Sequence, residues 1–116
     1  MAYYIRGIAY YDLGNYNQAI ADYNKAIQLD PNYAYAYNNR GNAYADLGNY
    51  NQAIADYTKA IQLDPNYAYA YNNRGLAYAD LGNYDQAIAD YTKAIQLDPN
   101  YAYAYNNRGL AYADLG

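Results

Sequence analysis

The residues able to do chemistry recur in register. Asn38 and Asn39, Asn72 and Asn73, and Asn106 and Asn107 are adjacent pairs spaced 34 residues apart. An amide carries both donors and an acceptor, so such pairs can hold a peptide backbone whatever its side chains. Asn42 follows the first pair, with Leu76 and Leu110 at the equivalent places and Ile8 upstream. Asp12, Asp46, Asp80 and Asp114 repeat at the same interval. Neighbouring units of a helical array lie roughly 8–10 Å apart, and oxygen ligands sit about 2.0–2.6 Å from a metal. Adjacent carboxylates therefore do not share one ion, and no metal site is expected. Their effect is a mildly acidic surface, which favours neutral or basic partners. The arginines Arg6, Arg40 and Arg74 are each followed by a matching acid, Asp22, Asp56 and Asp90. They read as inter-helix ion pairs, the other reading being a guanidinium aimed at an anion.

What is missing is equally informative. The 116-residue chain has no Cys, His, Trp, Phe, Val, Ser or Glu, but 22 Tyr. Without thiols there is no disulfide and no thiolate zinc site. Without His and Ser there is no Ser–His nucleophile and no histidine base. The expectation is a non-enzyme with no cofactor. A net charge of −4 disfavours a nucleic-acid backbone as partner. No apolar run is long enough to span a membrane, and the first residues lack the form of a signal peptide. The expected location is the cytoplasm or another soluble compartment, with no targeting signal.

The elements that carry these residues follow from the period. Residues 34–67 and 68–101 differ only at Asn42/Leu76 and Asn51/Asp85. A fixed period of this length predicts a stacked array, read as one domain over 1–116 with units 1–33, 34–67, 68–101 and a half unit 102–116. Each unit divides into two helices. Helix A starts near Tyr33 and ends near Leu47, and helix B runs from about Tyr50 to Leu63. Gly48 suits the left-handed residue that closes helix A. Asn49 with Gln52 resembles a capping box, Pro65 stops helix B, and Asn66 reads as the next cap. On a helical wheel Tyr37, Gly41 and Tyr44 form one seam of helix A, and Ala36, Ala43 and Leu47 a second. The third side shows Tyr35, Asn38, Asn39, Asn42 and Asp46. Helix B buries Tyr50, Ala53, Ile54, Tyr57, Ala60 and Ile61 and leaves Thr58, Lys59 and Gln62 as a solvated face.

The set Tyr37, Gly41, Tyr44, Ala53, Tyr57, Ala60 and Pro65 resembles the signature of the tetratricopeptide (TPR) repeat family, with Tyr in the usual Trp and Phe positions. The resemblance covers the whole chain. Arg6, Arg40, Arg74 and Arg108 depart from it, standing where the family usually has Leu. The resemblance implies an all-α solenoid, a right-handed superhelix of antiparallel helix pairs with about 3.5 repeats and seven helices. It also implies a concave groove, lined by the A helices, that binds peptide. Groove residues on this reading are Tyr35, Asn38, Asn39, Asn42 and Asp46, then Tyr69, Asn72, Asn73, Leu76 and Asp80, then Tyr103, Asn106, Asn107 and Leu110. Relatives that clamp a C-terminal carboxylate combine groove Asn with Lys or Arg. Asn39, Asn42 and Asn73 match the amides, but Tyr4, Asn38, Tyr69 and Asn73 stand where the charges would be.

The function expected is therefore a protein- or peptide-binding repeat module. The alternative is an engineered or recently amplified scaffold with no evolved ligand, which the near-identity of the units favours. The end helices carry a further expectation, self-association through Tyr4, Ile5 and Ile8 at one end and Tyr105, Gly109 and Tyr112 at the other.

Overall fold

The computed structural model describes residues 1–116. They form seven α-helices: α1 (Ala2–Asp12), α2 (Tyr16–Leu29), α3 (Ala34–Asp46), α4 (Tyr50–Leu63), α5 (Ala68–Asp80), α6 (Tyr84–Leu97) and α7 (Ala102–Leu115). The odd-numbered helices are the A helices and the even-numbered ones the B helices. Each packs against its neighbours in the chain, and successive A helices also touch: α1 with α3, α3 with α5, α5 with α7. The B helices make no comparable contact with one another. Drawing the A helices together while the B helices splay curves the stack, with the A helices on the inside. The result is an elongated body of 43 × 26 × 21 Å. No helix is long and apolar enough to cross a membrane.

Glycine sets the turn from A to B. Leu47 ends α3 in the right-handed region and Gly48 then takes φ +83°, a conformation that crowds any L side chain. The Asn49 N–H returns to the Tyr44 carbonyl at 2.8 Å and the Gly48 N–H to that of Ala45 at 2.9 Å, the Schellman closure. Asn49 does precede α4, but its side chain makes no capping hydrogen bond. The capping-box expectation for Asn49 and Gln52 is thus corrected: the turn is already closed by backbone. The turn from B to A is corrected too, because Asp64 rather than Asn66 holds it. Asp64 Oδ1 accepts the Asn66 N–H at 3.1 Å and its carbonyl accepts that of Tyr67. This is an Asx turn, and Tyr67 takes the cap position of α5.

The core has no single centre. Tyr57 packs with Ala53 and Ala77, flanked by Tyr44, Tyr50 and Ile54, and a second cluster joins Ala60, Tyr67 and Ala70. Both recur one unit later. Close approach is required where α3 crosses α4, since a Cβ on Gly41 would lie 2.7 Å from Cε1 of Tyr57. Leu47, assigned by the wheel to a buried seam, is 40% exposed; it is the cap residue just past the end of α3, where the chain turns toward Gly48.

Arg40 stands where α3 meets both adjacent B helices. Its Nε and Nη2 donate to Asp56 of α4 at 2.8 and 2.7 Å, and its Nη1 donates to Asn24 of α2 at 2.8 Å. Arg74 repeats the bracket with Asp90 and Thr58. Thr58 is therefore half-buried and bonded, not part of a plain solvated face. Arg6 binds Asp22 in the same two-pronged way but lies more open. Burial lifts the Asp56 carboxyl above the usual carboxylate range, although Arg40 pulls it back down.

Candidate functional site

The inner face carries three cavities in a row, each set between successive A helices and floored by the tyrosine of the intervening B helix. The first, about 210 Å³, lies over Tyr23 beside Ile8, Asp12 and Asn39. The second, about 500 Å³, lies over Tyr57 with Asn42, Asn73 and Leu76 on its walls and Asp46 and Asp80 on its rim. The third, about 390 Å³, lies over Tyr91 with Leu76, Leu110 and Asn107, and Asp80 and Asp114 at its edge. No Lys or Arg lines any of them.

The cavities differ because two of the positions that line them differ along the repeat. Tyr11 stands where later units have Ala45, Ala79 and Ala113. Its ring fills the space between α1 and α3, and its hydroxyl donates a short hydrogen bond to Asp46 Oδ2. Burial and the Asp46 charge both raise the Tyr11 phenol. The second variable place is held by Ile8, Asn42, Leu76 and Leu110. The Tyr57 hydroxyl donates to Asn42 Oδ1 at 2.6 Å; Tyr91, facing Leu76, has no such partner. Burial pushes the Tyr91 phenol up to about 12 and raises the Asp80 carboxyl.

The asparagines split into two kinds. Asn39, Asn73 and Asn107 lie half-buried against the cavities. Asn38 and Asn72, at 4% exposure, do not: they are buried between A helices. The Asn73 amide donates to Asn38 Oδ1 at 3.1 Å, the Asn107 amide to Asn72 Oδ1 at 3.1 Å, and the Asn39 amide to the Tyr4 hydroxyl at 2.8 Å. The assignment of Asn38 and Asn72 to the open face is corrected on this ground, since their amides are spent on a ladder joining the A helices. Asn106, the next rung, is exposed because no A helix covers it.

Tyr35, Tyr69 and Tyr103 are exposed and belong to an aromatic rail. Tyr35 meets Tyr67 edge-on with centroids 5.2 Å apart, and Tyr69 meets Tyr101 at 5.1 Å. The surface expected for self-association also needs correction. Tyr4 stacks 4.8 Å from Tyr33 and accepts from Asn39, and Ile8 lines the first cavity, so neither presents an outer face. Ile5 is 61% exposed, as are Tyr105 and Tyr112 in part, and nothing lies near Gly109.

Several residues of the inner face escape sequence reasoning. Tyr23, Tyr57 and Tyr91 read as core alone, yet each phenol reaches through the core to a cavity floor. The signal available was the pairing of each with a variable residue 15 positions upstream, Ile8, Asn42 and Leu76. Tyr11 as a plug and Ala45 as the space it takes escape the wheel as well.

The stacked helix pairs, the Schellman turns and the buried Gly41–Tyr57 crossing define a helical repeat of the TPR type. The TPR repeat family matches the chain in three tandem spans, residues 7–48, 41–82 and 75–116, so this chain belongs to that family. No curated protein matches it. Among solved structures it is similar to the first TPR of Spaghetti (RPAP3) bound to the HSP90 peptide SRMEEVD. That likeness has 31% identity and a TM-score of 0.95, covering 98% of this chain and 90% of the other. It is similar to the Arabidopsis OM64 TPR domain at 33% identity and a TM-score of 0.91, covering 95% and 91%. The second TPR domain of human RPAP3, in complex with the HSP70 peptide SGPTIEEVD, is 32% identical with a TM-score of 0.88, covering 92% and 89%.

Proposed function

We propose that the chain is a protein-interaction module that binds an extended peptide segment along the inner face of the A helices. The observation that carries this is the row of three unequal, cation-free cavities, with half-buried Asn39, Asn73 and Asn107 beside them. Inequality supports a ligand with a preferred register over a uniform scaffold without one. The exposed rings of Tyr35, Tyr69 and Tyr103 extend the contact surface, since Tyr offers rigid contact area at low entropic cost. The two RPAP3 domains named above hold the acidic peptides SRMEEVD and SGPTIEEVD. Here the groove carries Asp46, Asp80 and Asp114 and no opposing Lys or Arg, so the ligand is neutral or basic.

The test is chemical-shift mapping on the labelled protein with neutral, basic and acidic peptides of equal length. Perturbations at Asn42, Asn73, Leu76 and Asp80, strongest for the basic peptide, are the expected result. Perturbations confined to Lys59, Gln62 and their equivalents on the outer face would refute the groove.

The α7 face is a second surface in this proposal. Gly41 is covered by the ring of Tyr57, whereas Gly109 is open between exposed Tyr105 and Tyr112. Arg108 bonds only Thr92, at 3.3 Å, and lacks the carboxylate its equivalents grip. We propose that a second copy covers this face. Sedimentation should show an oligomer that Tyr112→Lys dissolves; a strict monomer at high concentration would refute it.

A further inference from the structure

Tyr91 is 1% exposed, and its hydroxyl, bonded to no other side chain, keeps its small opening onto the third cavity rather than being sealed in the core. Its equivalent Tyr57 donates to Asn42, and the leucine at position 76 takes that acceptor away. The phenol oxygen is thus left at the floor of the third cavity. Leu76 and Leu110 provide apolar wall, Asp80 and Asp114 bring two carboxylates to the edge, and no cation of the chain answers them.

We propose that this cavity is a socket for one lysine or arginine side chain of the bound peptide, an inference that rests on the groove reading above. Its aliphatic stem lies along Leu76 and Leu110, and its cation pairs with Asp114, while Asp80 across the cavity adds to the negative field and Tyr91 faces the site from the floor. Long basic side chains bury their stems on apolar surface while keeping the charged end solvated or paired. A phenol oxygen has lone pairs to accept from an ammonium or guanidinium, and a carboxylate supplies a charge-assisted bond. A purely aliphatic side chain would fill the walls but leave both carboxylates facing the ligand unpaired. An acidic one would be repelled. The other two cavities each lack part of this set. In the second, the Tyr57 hydroxyl is already bonded and a polar amide replaces one leucine wall. The first is smaller, with Tyr11 on its wall and a single carboxylate, that of Asp12, lining it. The socket therefore fixes the register of the peptide, placing its basic residue over α5 and α7.

The experiment uses the full chain and three probes. These are the capped peptide Ala-Asn-Ala-Lys-Ala-Asn-Ala, the same peptide with norleucine for lysine, and the same with acetyl-lysine. Chemical-shift titration should give about tenfold weaker binding for both neutral probes, the size of one charge-assisted hydrogen bond. Asp114→Asn, at an exposed site, should remove that difference without changing the fold, and Asp12→Asn should leave it intact. Leu76→Asn, which restores an acceptor to Tyr91 and removes one apolar wall, should reduce it. Equal binding of all three probes on the inner face would overturn the socket while leaving the groove standing. No inner-face shifts with any probe would remove the groove itself, and the socket with it.

Discussion

Arg40 grips Asp56 through two parallel hydrogen bonds, 2.8 Å from Nε and 2.7 Å from Nη2, and the carboxylate is only 6% exposed. The guanidinium also reaches back to Asn24, so one side chain ties three helices together. Its Cζ lies over the Tyr37 ring, 5.3 Å from the centroid, and no inner-face cavity includes it.

Breaking that grip from the acid side leaves a partly buried cation without its counter-charge. Asp56→Ala should cost about 3–5 kcal/mol, the range for an orphaned buried ion. Asp22→Ala should cost less, because Arg6 can turn to water. Urea denaturation of both variants checks the order; equal losses would show that burial of the arginine does not matter.

Gly41 and Gly109 occupy the same place in the repeat but meet different surroundings. Gly41→Ala forces the Tyr57 ring aside and should destabilise by about 1–3 kcal/mol through overpacking. Gly109→Ala meets open space and should stabilise α7 by up to about 1 kcal/mol from helix propensity. Opposite signs in thermal unfolding are the expected readout.

The amide ladder predicts a cost that a solvated groove asparagine would not have. Asn73→Ala strips Asn38 of its donor from the next helix and should cost about 1–3 kcal/mol. Asn106→Ala removes no bond and should be near neutral. Hydrogen exchange should show faster opening of α3 and α5 in the first variant alone.

The tyrosines make the fold sensitive to alkali. Burial raises the Tyr91 and Tyr101 phenols to about 12, above the ordinary tyrosine value, and lifts Tyr57 and Tyr67 as well. The folded state then holds protons that the unfolded chain releases above pH 10. By linkage, stability is fully present below that pH and falls as pH rises from about 10 to 12. Phenolate absorbance should rise in two phases, with unfolding accompanying the second; a single phase at the ordinary value with the helices intact would contradict the buried phenols.

Helix number, type and approximate limits were legible in the residues alone, because they depend on local rules. Gly48 must take positive φ, Pro65 cannot continue a helix, and the spacing of Tyr37, Gly41 and Tyr44 places them on one face whatever lies opposite. The seams against the B helices were legible for the same reason. The inner face was not. Asn38 and Asn39 are adjacent and chemically identical, and a wheel puts both outside; only the approach of α5 buries the first and leaves the second beside a cavity. Tyr57 is counted by any pattern as core, and its ring is, but a phenol is long enough to bring its oxygen out on the far side of the layer. Whether that oxygen finds Asn42 or a leucine depends on a residue in another helix, at a distance that helix packing alone fixes. The repeat thus determined the scaffold, while the angle at which one A helix covers the next decided which of its repeated residues line the cavities of the inner face.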